Sequence, residues 1–113
     1  MRVIVAGSRG ITDYSLVEKA IKDSSFSIST IISGCARGID SLAIIWAKKN
    51  KISYVEYPAN WDLFGKSAGY KRNVQTAEVA DALIAIWDGK SKGTGHMINI
   101  AKSKNLPIFI FKV

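Results

Sequence analysis

The sequence predicts an α/β protein, a three-layer α/β/α sandwich on a five-stranded parallel sheet. Three observations carry this. Short β-branched runs alternate with helical patterns of about 10–15 residues, the signature of repeated βαβ units. Those runs are near-continuously apolar rather than alternating, as expected of strands covered on both faces. The glycines cluster after strands, and none falls where a helix returns to the sheet.

The elements follow in order. "VIVA" (residues 3–6) is the first strand, and the helix after it places Leu16, Val17, Ala20 and Ile21 on one face. "STIIS" (29–33) precedes the helical "SLAIIWAKKN", and "SYVEY" (53–57) precedes a loop and then "KSAGYKRNVQTAEVA". "ALIAIW" (Ala82–Trp87) leads into "TGHMINIAKSKN", and "PIFIF" (107–111) is the fifth strand. There is no internal repeat, linker or low-complexity tract. The predicted strand order is 3-2-1-4-5, which sets the first and fourth strands beside a switch-point crevice.

Composition narrows the function classes. The 113 residues read as one domain spanning 1–113, and 48% hydrophobic content argues against disorder. No apolar run approaches the roughly 20 residues of a membrane span. "MRVIVAGSRG" enters a strand directly, without the apolar core of a secretion signal, so a soluble cytoplasmic protein is expected. A single cysteine, Cys35, excludes an internal disulfide, and a single histidine, His96, excludes common zinc patterns. No carboxylate pair has metal-ligand spacing, so neither a metal nor a resident cofactor is expected.

The net charge is +7. Most lysines, such as Lys48, Lys49, Lys51, Lys102 and Lys104, are scattered and read as solvated helix faces. Of four arginines, three sit in glycine-rich segments: Arg9 in "AGSRG", Arg37 in "GCARG" and Arg72 in "GYKRN". A guanidinium grips phosphate or carboxylate at two points, which an ammonium cannot do.

Gly7 and Gly10 follow the first strand, Gly34 and Gly38 the second, Gly65 and Gly69 the third, and Gly89, Gly93 and Gly95 the fourth. In an open parallel sheet all these positions lie along the strands' C-terminal edge, where ligands bind. Helix starts there present backbone N–H groups and a partial positive charge to an anion. Three such units occur, "AGSRGITD", "SGCARGIDS" and "WDGKSKGTGH", with Arg9, Arg37 and Lys92 as their cations. Ser33 and Thr94 add hydroxyls able to donate to phosphate oxygens. The G-x-x-x-x-G-K-[ST] and G-x-G-x-x-G spacings are both absent.

"SGCARGID" resembles the SGxARGID signature of the DprA/Smf proteins, and "GKSKGTG" resembles the GGxGT loop of the LOG (LONELY GUY) proteins, two branches of the SLOG superfamily. With "VAGSRG", "YPANW", "GKSAGYKRN" and "DALIAIWDGKSKGTGHM", the chain looks most like the YspA/cpYpsA-related SLOG family. That resemblance implies a Rossmann-like domain that binds nucleotides or nucleotide-derived signals, in a family often found in phages and conflict systems. The LOG likeness also implies a homodimer.

LOG enzymes hydrolyse the N-glycosidic bond of nucleoside 5′-monophosphates with an arginine and a glutamate. The resemblance carries the arginine onto Arg72, but Met97 stands at the glutamate's position. Methionine neither activates water nor stabilises an oxocarbenium-like centre, so binding is favoured over turnover. Arg72, Asp88 and His96 remain the catalytic candidates, with Asp62 a further carboxylate. A LOG-like phosphoribohydrolase is the alternative reading, and a single-stranded DNA binder of DprA type the third.

The expected ligand is thus a small nucleotide. Gly7, Ser8 and Arg9, together with Gly34, Arg37 and Gly38, should form one wall, with Ser33 a further ligand contact. Gly93, Thr94 and Gly95 should cradle phosphate beside Lys92, with Arg72 and Asn73 reaching in from the third helix. Asp40 reads either as the second helix's N-cap or as a ribose or arginine contact. Asp88 lies at the end of the fourth strand. Trp61 and Trp87 could stack on a base, Trp87 equally on the core. His96 at a helix start should be neutral, and Cys35 a small packed residue. Trp46, in the all-apolar "LAIIWA", should be fully buried, against a partner subunit.

Overall fold

Strand β1 (Arg2–Gly7) runs through the centre of the sheet, with Val3, Ile4 and Val5 buried. A computed structural model of the chain describes residues 1–34 and 38–113. Around β1 lie β2 (Thr30–Ser33), β3 (Ser53–Glu56), β4 (Ala82–Trp87) and β5 (Ile108–Lys112). All neighbours pair in parallel, in the predicted order β3-β2-β1-β4-β5. Ile4 sits in register with Ile32 on one side and Leu83 on the other.

Successive residues of a strand point to opposite faces, and both faces of the inner strands are apolar. Val3, Val5, Ile31, Ile84 and Ile86 pack under α1 (Tyr14–Ser24) and α2 (Ile39–Lys49) through Val17, Ala20, Ile39, Ala43 and Ala47. Ile4, Ile32, Leu83 and Ala85 pack on the other face under α4 (Ala68–Val79) and α5 (Lys92–Ser103) through Ala77, Met97, Ile98 and Ala101.

Several details depart from the sequence reading. The edge strands are covered only in part, leaving Tyr54 and Ile110 exposed, because each has a neighbour on one side only. The stretch read as a loop before the third helix contains α3 (Trp61–Phe64), capped by Asn60 Oδ1 accepting from Leu63 N at 3.0 Å, and a 3-10 turn over Gly65–Ser67. Within the single chain Trp46 packs partly buried against the first core, and its neighbour Ile45 is 42% exposed. No helix among the described residues is long and apolar enough to cross a membrane.

The ends of the helices show a division of labour. Ser25, Lys51 and Asn105, on the returns from α1, α2 and α5 to the sheet, all have φ near +60°. Glycine ordinarily takes that left-handed conformation at a helix end. Here residues with side chains hold it, and all nine glycines stay toward the strands' C-terminal edge.

Candidate functional site

The connections leaving β1 and β4 go to helices on opposite faces of the sheet, so the chain parts between them at the C-terminal edge. A cavity of about 430 Å³ fills this crevice. Three segments line it. The end of β1 and its loop contribute Gly7, Ser8, Arg9 and Gly10, with Asp40 of α2 alongside. From the α3–α4 region come Trp61, Lys66, Tyr70, Arg72 and Asn73. Asp88, Ser91, Gly93, Thr94 and Met97 close it from the β4–α5 side.

The two glycines of "SGCARGID" hold these segments together. Gly38 has φ +74°, and a Cβ there would lie 2.6 Å from the Arg9 carbonyl oxygen and 2.8 Å from that of Ile11. Only glycine lets the start of α2 touch the β1 loop so closely. At Gly34 a Cβ would strike the guanidinium of Arg72, whose Nη1 donates to the Gly34 carbonyl oxygen. These two glycines therefore dock one loop on another rather than lining the cavity. Neither Gly34 nor Gly38 reaches the lining, and Arg37 and Cys35 lie outside the described residues.

Ser33 also stands behind the wall. It is fully buried, and its hydroxyl donates to the Asp40 carbonyl oxygen at 3.1 Å instead of facing the cavity. Asp40 is not the N-cap, because the left-handed Gly38 breaks the chain and helix α2 begins at Ile39. Its carboxylate sits in the helix's first turn, buried, where the helix dipole favours negative charge.

Arg72 is the connecting residue. Besides Gly34, its Nε donates to Asn73 Oδ1 at 3.1 Å. The buried Asn73 amide then faces α5, with Nδ2 3.3 Å from the Gly93 carbonyl oxygen and 3.1 Å from His96 Nδ1. Because Oδ1 is taken by Arg72, Nδ2 must donate, leaving the imidazole proton on Nε2. Burial pushes the His96 pKa down from its ordinary value. His96 itself lies outside the cavity, its ring 4.4 Å from that of Tyr70.

Helix α5 starts without a side-chain cap, and Gly93 and Thr94 of its first turn face the cavity. Gly93 and Gly95 of "GKSKGTG" are thus helical, whereas Gly89, with φ +81°, lies in the loop before α5. Gly95 turns away from the cavity and packs against the Trp87 ring. Trp87 donates its indole N–H to the Ser91 carbonyl oxygen at 3.0 Å, and so clasps the start of α5 rather than facing the crevice. Lys92, too, faces a second depression on the far side of Ser91.

Asp88 Oδ1 accepts from the backbone N–H groups of Ser91 and Lys90, each at 2.8 Å, which holds its carboxyl below the usual carboxylate range. The Ser8 hydroxyl adds a smaller lowering effect while lying outside hydrogen-bond geometry. Ser8 Oγ is buried on the cavity wall without a hydrogen-bond partner among the described residues. Such a group is costly unless something completes it.

Three cations, Arg9, Lys66 and Arg72, meet two carboxylates, Asp40 and Asp88, around the cavity. Lys66 escaped the sequence reading, which took the "GKSAG" segment as a motif without assigning its lysine. Trp61 stands at the rim, 50% exposed, and Met97 forms an apolar floor, 2% exposed.

Fold and site together define a Rossmann-like α/β domain with a polar, cation-rich cavity at its switch point. The chain belongs to the YspA, cpYpsA-related SLOG family, whose model matches residues 1–64. Among solved structures, that of DNA processing protein A (DprA) from Streptococcus pneumoniae has the same fold, with a TM-score of 0.79 at 22% identity. The likeness covers 96% of this chain and 49% of that one, so this chain spans about half the DprA length. No curated protein sequence matches the chain.

Proposed function

We propose that this chain binds a nucleotide or nucleotide-derived ligand in the switch-point cavity, as a sensing or sequestering module. The observation that carries the reading is the meeting of Arg9, Lys66 and Arg72 with the uncapped start of α5 in one cavity. Helix N–H groups and guanidinium forks suit phosphate oxygens. The unpartnered Ser8 hydroxyl gives a further donor, and Trp61 at the rim offers a face to a base.

The chemistry of the cavity favours binding over turnover. Met97 offers no acid or base. Asp88 stays ionised, so it cannot act as a general acid near neutrality. The alternative, hydrolysis of a nucleoside 5′-monophosphate, rests on Arg72 alone. A homodimer is part of the proposal, supported by exposed Ile45 and Tyr54 on α2 and β3; sedimentation over a concentration series tests it.

Calorimetric titration with nucleoside 5′-mono- and diphosphates is the test. Binding is expected, weakened about tenfold or more by Arg9→Ala, as for the loss of a charged hydrogen bond. A folded protein that binds no member of the panel overturns the proposal. Release of free base during the titration establishes the hydrolase instead.

A further inference from the structure

The second depression, of about 490 Å³, adjoins the first cavity, sharing Tyr70 and Ser91 with it. Its composition differs. Lys90, Lys92 and Lys102 line it, and no acidic side chain does among the described residues. None of these lysines has an ion-pair partner among the described residues. Lys102, read from the sequence as one of the scattered lysines, thus converges with Lys90 and Lys92 on one concavity.

The depression also has flat apolar surface. Trp87 and His96 lie in it, and Tyr70 forms the saddle to the first cavity, 47% exposed and braced by the His96 ring. His96 is in turn fixed by Asn73, the residue tied to Arg72. One network therefore sets the cation of the first cavity and the aromatic pair at the border of the second.

Cations alternating with aromatic faces along a groove are the physical pattern of a site for linked nucleotides, in which bases stack and phosphates are neutralised in sequence. A mononucleotide would occupy one cavity and leave three unpaired ammonium groups beside it. Resting on the nucleotide reading of the first cavity, we infer that the ligand carries at least two phosphate-linked nucleotide units. The first sits between Arg9 and Arg72, and the second crosses Tyr70 into the lysine-lined depression.

The experiment compares the four nucleoside 5′-monophosphates with the corresponding 5′-phosphorylated homodinucleotides, on the wild-type chain and on a Lys90→Ala/Lys102→Ala double variant. Both lysines are exposed, and unchanged thermal unfolding of the variant confirms that it folds. The dinucleotide is expected to bind at least about tenfold tighter than its mononucleotide, as for one added stacked base. The double variant should lose most of that gain and keep its mononucleotide affinity. Tyr70→Ala should lose it too.

A dinucleotide that binds no tighter than its mononucleotide, or a gain that the double variant retains, overturns the inference and leaves the first cavity's assignment standing. Failure of every mono- and dinucleotide to bind overturns both.

Discussion

Asn73 donates from Nδ2 to His96 Nδ1 at 3.1 Å, and this bond can exist only while the imidazole is neutral. A proton on Nδ1 would set two donors against each other. The bond therefore joins α4 to α5 in a manner that depends on pH.

Stability should fall as the pH drops below about 6.5, the ordinary histidine value, toward the depressed value of folded His96. In that window the unfolded chain takes up a proton that the folded chain refuses, so acid favours unfolding. Above it the contribution is fully present. Thermal unfolding from pH 7.5 to 5.5 measures the slope, and His96→Gln should flatten it. An unchanged slope in the variant would assign the effect elsewhere.

Gly38→Ala should destabilise the fold by about 2–4 kcal/mol, combining the left-handed backbone penalty with a clash against the Arg9 and Ile11 carbonyl oxygens. Urea denaturation measures it. Gly10→Ala is the control, since a Cβ there meets nothing within 4 Å.

Gly93→Ala should do the opposite to stability and harm function. The position is helical, and its Cβ would enter open space, so the fold should gain about 0.5–1 kcal/mol from helix propensity. The same methyl projects where a phosphate would meet the start of α5, so nucleotide affinity should drop. Paired calorimetry and denaturation read both effects on one variant.

Trp61→Ala should leave stability within about 0.5 kcal/mol, because the indole is half exposed on a four-residue helix. Affinity should fall roughly tenfold if a base stacks there. Equal losses in both would mean that Trp61 supports the loop and does not touch ligand.

Sheet and strand order were legible because Val3–Val5 and Leu83–Ile86 are apolar without interruption, a pattern only a doubly covered strand needs. The short helix α3 was hidden in "WDLF", where four residues give no periodicity and only Asn60 as a cap hints at it. Residue type pointed to the edge of the sheet where the cavity lies but not to the direction each side chain takes. Ser33 and Trp87 resemble ligand contacts in sequence, yet backbone carbonyls at Asp40 and Ser91 claim their donors. Lys66 looked like one more surface lysine until the 3-10 turn brought it to the cavity. Tertiary contacts made that distinction, and no local pattern encodes them.

The left-handed turns at Ser25, Lys51 and Asn105 have a mechanical meaning. A chain that keeps side chains at the far ends of its helices gathers its Cβ-free positions, among them the close approaches at Gly34 and Gly38, on the cavity edge. The proposed ligand would touch that border, where α3, the α4 start and the α5 start come together. In the sensing role proposed above, receiver and transmitter would be the same edge, and a partner responding to the ligand would dock beside it.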